Sequence, residues 1–305
     1  MDRLTALEIF VKVVELQSFT DAAAALGISK SHCSKQIRRL EDRLGARLVN
    51  RTTRQIGTTA AGAAFYERCT RILGDLEEAE QTVGQLQRKP TGTLRISGPL
   101  SFSVRYLGPA LADFMAAHPQ LNVDLRLADR RVDIVEEGYD LAIRIGSLAD
   151  SSLIARKLGR VQPVLCASPG YLADNPAPQH PRDLRDHSCL LYHYQATGLS
   201  WGFHNSDGAE EIVRVDGRLR ADNGDVMVAM ACSGLGLIYV PDFLVSEPIR
   251  SGALVPLLPE WSHQPNAVWA LYPHSRHLSA KVRLFIDFLA ARFSPPPWQL
   301  DLAEE

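Results

Sequence analysis

Lys30, Lys35, Arg38, Arg39 and Arg43 crowd one short stretch of the chain, interleaved with Ser31, His32 and Ser34. Ammonium and guanidinium groups neutralise phosphates, and Ser, His and Arg also bond to base edges. On a helix, residues three and four apart share a face. Lys30, Ser31, His32, Ser34, Lys35 and Arg38 then form one polar, cationic surface suited to a nucleic-acid duplex. Cys33, Ile37, Leu40 and Leu44 recur at helical spacing and form an apolar stripe on the opposite side. Taken alone, the stretch also reads as an ordinary solvated helix with a basic face, and its neighbours decide between the two.

Those side chains need a helix with defined ends. Ser29 suits an N-cap, and Gly45 suits the left-handed position that closes a helix after Leu44. An Ala-rich helix from about Thr20 to Leu26 precedes it and stops at Gly27. Two helices joined by so tight a turn read as a helix-turn-helix, whose second helix enters the major groove of DNA. The apolar stripe would pack on that first helix and on Leu4, Leu7, Phe10, Val11 and Val14. Leu48 and Val49 follow as inward residues, and Arg51, Thr52, Thr53 and Arg54 make a cationic tip. This reads as a strand–turn–strand wing, with Arg51, Thr52 and Arg54 placed to reach phosphates or the minor groove.

From Thr59 to Lys89 the apolar positions are Phe65, Cys69, Ile72, Leu76, Ala79, Val83 and Leu86, at alternating gaps of four and three. A seam that narrow favours pairing with a second helix over lying on a globular core. Phe65, Cys69, Ile72, Leu76, Val83 and Leu86 are therefore the expected dimerisation residues. Pro90 ends this helix and sets a domain boundary.

Of 305 residues with a net charge of −2, residues 1–60 carry +4 and the remainder −6. Such asymmetry marks a nucleic-acid-binding end. After residue 90, strand and helix alternate, with strands at 93–97, 122–127, 140–145, 164–168, 189–193, 211–215, 235–240 and 268–273. Helices are expected at 103–118, 132–137, 225–232 and 279–293. That order implies an α/β sheet rich in parallel pairs. Residues 294–305, rich in Pro and then acidic, read as a disordered tail.

Cys33, Cys69, Cys166, Cys189 and Cys232 form no CxxC pair and sit at no zinc spacing, so neither metal nor cofactor is expected. Five thiols in a long chain suit a reducing cytosol. The start lacks a signal peptide, and the uncharged run Val226–Pro241 is too short to span a membrane. No GxSxG, HExxH, Walker A or strand-linked GxGxxG is present, so no enzyme is expected.

The segments LEIFVKVVELQSFTDAAAALGIS, SKQIRRLEDRLGARLVNRTTR and TTAAGAAFYERC resemble the N-terminal pattern of the LysR-type transcriptional regulators. GTLRISGPLSF, VDIVEEGYDLAIRIG and LVPLLPEW resemble that family's effector domain. His32-Cys33 departs from the small or apolar pair usual there. The resemblance implies a fold of an N-terminal all-α winged helix-turn-helix (1–58), a linker helix (59–89), and an α/β effector domain (92–293). The effector domain would comprise two subdomains like those of periplasmic binding proteins: about 92–162 with 268–293, and about 163–267. It further implies a cytoplasmic homotetramer, built as a dimer of dimers, that binds an interrupted palindrome and answers to a small molecule. RNA polymerase is a further candidate partner.

Ligands of open α/β sheets bind outside the carboxyl ends of strands. That rule selects Leu100, Ser101, Phe102, Ser103, Ala128, Arg144, Gly146 and Asn223 as effector-binding residues. A helix start beside Ser101 and Ser103, with Arg144 nearby, favours an organic anion. The rival readings are a redox response through Cys166, Cys189 and Cys232, and an enzymatic or solute-binding α/β protein carrying an accessory helix-turn-helix.

Overall fold

The computed structural model describes residues 3–51, 56–83, 90–148, 151–195, 197–205, 207–261, 266–274 and 278–300. Contacts divide the chain into Met1–Lys89 and Pro90–Glu305.

The first unit holds α1 (Arg3–Leu16), α2 (Phe19–Ala25), α3 (Lys30–Leu44), β1 (Val49–Arg51), β2 (Ile56–Thr58) and α4 (Ala60–Val83). Its core gathers Leu7, Ile9, Phe10, Val13, Ala22, Cys33, Ile37, Leu40 and Leu48. Leu44 departs from the expected stripe: it is 43% exposed, and Gln36 is buried instead. Gly62 has no room for a side chain, since a β-carbon there would stand 1.9 Å from the Leu48 carbonyl oxygen.

The second unit begins with β3 (Gly92–Gly98) and a continuous helical run. That run comprises α5 (Leu100–Phe102), a π-helical turn (Ser103–Leu107) and α6 (Gly108–Ala117). Then follow β4 (Leu121–Leu127), β5 (Leu141–Gly146), β6 (Leu153–Val161), β7 (Pro163–Ala167), α7 (Pro169–Asp174) and β8 (Leu191–Tyr192). Next come β9 (Ser200–His204), β10 (Glu210–Arg214), β11 (Arg220–Ala221), α8 (Gly224–Cys232), β12 (Ile238–Pro241) and α9 (Asp242–Arg250). The unit closes with β13 (Val255–Leu257), β14 (Asn266–Pro273) and α10 (Ala280–Arg292).

A five-stranded sheet has the order β4-β3-β5-β14-β6, and a three-stranded sheet the order β12-β7-β13. The expected dominance of parallel pairs is corrected here. β3 runs parallel to β4 and β5, but β14 is antiparallel to both its neighbours, as β7 is to both of its own. The helix expected at 132–137 is absent: residues 134–138 form a turn, and 132–133 belong to no regular element. Asp133 accepts from the N–H groups of Val135 and Glu136, and Gly138 takes φ +73°, so the chain leaves the helical path at once.

The expected disordered tail is also corrected over its described part. Trp298 is fully buried, and its indole N–H donates to the Arg160 carbonyl at 2.9 Å. Its ring packs edge-on against Phe102, Tyr106 and Phe293. Residues 301–305 lie outside the described residues.

Asp242 lies where β12 meets α9, beside the β6–β7 crossing. Its N–H donates to the Gln162 carbonyl, and its carboxyl accepts from the N–H of Phe243 at 2.9 Å. The residue is 4% exposed, and burial pushes the carboxyl up to about 7. The unfolded chain releases this proton near the ordinary carboxylate value, while the folded chain keeps it. The contribution to stability is therefore complete below about pH 4 and is lost as pH rises through about 7. The melting temperature should fall between about pH 4 and about pH 7, and Asp242→Asn should flatten that fall. Parallel pH profiles for the two proteins would show that another group sets the slope.

Candidate nucleic-acid interface and effector junction

Local chemistry sets the two helices of the helix-turn-helix. Ser18 caps α2 by accepting from the N–H of Asp21, and Gly27 turns the chain at φ +66°. Ser29 caps α3 by accepting from the N–H of His32, and Gly45 closes it in the left-handed region. With the stripe Cys33, Ile37 and Leu40 turned inward, Lys30, Ser31, His32, Lys35 and Arg38 are exposed on the opposite face. Ser34 is half-buried at its margin. Gln36 holds the His32 ring at 3.1 Å, one turn along the helix.

The wing is a two-stranded antiparallel ribbon in which Val49 pairs with Thr58 and Arg51 with Ile56. Arg51 lies on β1; Thr52 and Arg54 fall outside the described residues. Glu41 has a role that the sequence reading missed. Its carboxylate accepts from the N–H groups of Leu48 and Val49 at 2.9 and 3.1 Å, tying the end of α3 to the wing. A signal was present, because an acid in the last turn opposes the helix dipole and needs another reason to be there.

The seam on α4 divides. Cys69 is fully buried inside its own domain, and the Phe65 ring lies 5.4 Å from Phe10. These two residues are corrected from dimer contacts to core, because α1 already covers them. Ile72 is 48% exposed and Leu76 half-buried, so both remain open to a partner. The side chain of Val83 and the whole of Leu86 lie outside the described residues.

In the second unit, the carboxyl ends of parallel strands from the five-stranded sheet and from a separate two-stranded pair, β8 with β11, bring polar groups together. β3, β4 and β5 deliver Leu100, Ala128, Asp129, Arg144 and Gly146, while β8 and β11, paired in parallel, deliver Tyr192, Asp222 and Asn223. Arg144 is half-buried and donates to Ser97 Oγ at 3.0 Å and to the Ile143 carbonyl at 2.9 Å. Burial lowers its guanidinium from the ordinary value, opposed by Asp129. Burial raises the Asp129 carboxyl, and it raises the Tyr192 phenol so that the hydroxyl stays protonated. Arg105 and Asp225 form an ion pair that links the 100–117 helical run to α8. Burial opposes ionisation of Asp225, yet Ser101 and Arg105 together hold its carboxyl below the ordinary value.

Several expected ligand contacts are corrected. Phe102 is fully buried between Phe243, Phe293 and Trp298, so it belongs to the core. Ser103 is 2% exposed, and its hydroxyl lies against Gly98, where a β-carbon would stand 2.6 Å away. Ser101 is 6% exposed. The Leu100 N–H, expected to face an anion, is already taken by Asp129 at 2.9 Å. The Asn223 side chain caps α8 through the Val226 N–H, and the Gly146 carbonyl accepts from the Trp269 indole. Ala128 is half-buried and bonds to the Gly98 carbonyl.

Among the described residues no cluster suited to a metal ion occurs. All five thiols are free. Burial pushes Cys189 up to about 12 and Cys166 higher, which opposes the thiolate that redox chemistry needs. Cys232 alone among them is exposed.

Residues 4–63 match the family model described as bacterial regulatory helix-turn-helix protein, lysR family. Residues 87–294 match the LysR substrate binding domain. An uncharacterized HTH-type transcriptional regulator of Haemophilus influenzae is 40% identical over 282 residues, covering 92% of this chain and 98% of its own. The full-length structure of the Vibrio cholerae virulence activator AphB is 34% identical, covers 95% of this chain and 99% of its own, and superposes with a TM-score of 0.58. CrgA from Neisseria meningitidis is 32% identical, covers 94% and 98%, and has a TM-score of 0.60.

Proposed function

The chain belongs to the LysR-type transcriptional regulators, a family that binds DNA and small-molecule effectors, and from that premise we propose how its own residues divide the work. The observation that carries the reading is the exposed row Lys30, Ser31, His32, Lys35 and Arg38 on a helix capped at Ser29. These side chains read the major groove, with Ser34 at their edge. Arg51, Thr52 and Arg54 of the wing hold the backbone. Copies related by a two-fold bind an interrupted palindrome, because paired recognition helices reach successive groove faces about 34–36 Å apart. Selection of bound duplexes from a random pool should return two related half-sites at that spacing. A single asymmetric site would count against the paired arrangement.

The remaining apolar seam, Ile72 and Leu76 of α4 together with the sequence positions Val83 and Leu86, joins two copies, and two such dimers form a tetramer. Ile72→Asp places like charges opposite each other without touching the domain's own core. Sedimentation of the full chain should show a smaller assembly for this variant. An unchanged mass would place the interface elsewhere.

A small organic molecule with an acidic group binds at the junction of the two effector subdomains, anchored by Arg144. It shifts the regulator between assemblies by binding one of them more tightly. The chain acts by binding rather than catalysis and needs no resident cofactor, and RNA polymerase is the partner such a regulator addresses at a promoter. Among the described residues no helix is long and apolar enough to cross a membrane.

A further inference from the structure

The charges at the effector junction do not suit a simple anion. Glu137 is spent on Arg130 through two contacts of 2.9 Å, and Asp225 on Arg105. Arg144 is left facing Asp129, which in turn has Asp222 as a neighbour, and none of these three forms an ion pair with a described residue. Arg144 is held only by neutral acceptors, Ser97 Oγ and the Ile143 carbonyl. Asp129 and Asp222 both lie within electrostatic reach of Tyr192, whose ring stands 6.0 Å from that of Tyr194. The helix start at Leu100, the natural seat for an incoming carboxylate, is filled by Asp129 itself.

A ligand bearing only a negative charge would satisfy Arg144 but would meet two carboxylates. A ligand bearing only a positive charge would satisfy the carboxylates and leave the guanidinium unpaired. Partly buried charges are stable when each meets its opposite, and charge-assisted hydrogen bonds are the strong ones. We propose that the effector is a zwitterion of amino-acid type, its carboxylate on Arg144 and its ammonium between Asp129 and Asp222. The Tyr192–Tyr194 pair covers its apolar part, and aromatic faces also favour a nearby cation. Asp129 and Asp222 thus set specificity, excluding the plain carboxylic acids that Arg144 alone would accept. This rests on the reading that the junction is the effector site.

The test is calorimetry and thermal shift on the full chain with matched triplets: each of a set of L-amino acids, its decarboxylated amine and its des-amino carboxylic acid. At least one amino acid should bind about tenfold or more tightly than both of its truncated partners. Asp129→Asn keeps an acceptor for the Leu100 N–H, so the fold stays intact. It should cost the amino acid about tenfold in affinity and leave the des-amino acid unchanged or tighter. Arg144→Gln should do the reverse, weakening the acids and sparing the amine. If des-amino acids bind as tightly as amino acids and respond to Arg144→Gln, the anion anchor stands and the zwitterion falls. If no amino acid binds, the zwitterion is likewise overturned. If a ligand binds and neither substitution changes its affinity, the junction is not its site.

Discussion

Replacing Lys35 and Arg38 together with alanine should lower affinity for the selected duplex by about a hundredfold at physiological salt, the sum of two contacts at about 1–3 kcal/mol each. Both side chains are exposed on the outer face of α3, and neither forms an ion pair among the described residues. The helix itself stands on Cys33, Ile37 and Leu40, which the substitutions leave alone. Salt titration by gel shift separates the two kinds of contact. A lost phosphate contact flattens the log–log salt slope by about 1 and weakens all sequences alike, whereas a lost base contact relaxes sequence choice. Parent-like affinity in the double variant would move the interface off α3.

Trp298→Ala should destabilise the effector domain by about 3–5 kcal/mol, the usual cost of emptying a large aromatic site. The indole fills a slot against Phe102, Tyr106 and Phe293 and closes on Gly159, where a β-carbon would stand 3.1 Å from the ring. Its N–H satisfies the Arg160 carbonyl, which the alanine variant leaves to water or to nothing. The melting temperature of the full chain should drop by roughly 10 °C. Stopping the chain after Phe293 should do the same. A shift below about 2 °C in both would remove Trp298 from the core.

The parts of this molecule written in short-range chemistry were legible in its sequence. Ser18, Gly27, Ser29 and Gly45 act on their own neighbours, so the helix-turn-helix was readable within a residue or so at each end. The parts set by distant partners were not. Nothing near Trp298 announces that Phe102 and Phe293 wait for it, and the surrounding prolines and acids argue for disorder. Phe102 lies in the first turn of a helix at a strand end, as a ligand contact does, but Phe243 on α9 draws it inward. Strand direction is likewise silent in composition, so β14 could not be known to run against β5 and β6. The effector junction fell between these cases. Arg144 and Asn223 were found by the strand-end rule, whereas Asp129 was passed over because its grip on the Leu100 N–H links residues 29 positions apart.

The five-stranded sheet takes strands from both ends of the second unit, and Trp298 seals it close to the last residue. This has a consequence for the order of events during synthesis. The DNA-binding unit is complete once residue 89 clears the ribosome. The effector core cannot close until β14, α10 and Trp298 have followed. At about 5–20 residues per second the delay is roughly 10–40 s. For that interval each new chain carries a finished DNA-reading head and an unfinished sensor. In a cell where ribosomes work beside the chromosome, the young protein can meet its operator before it can hear its signal.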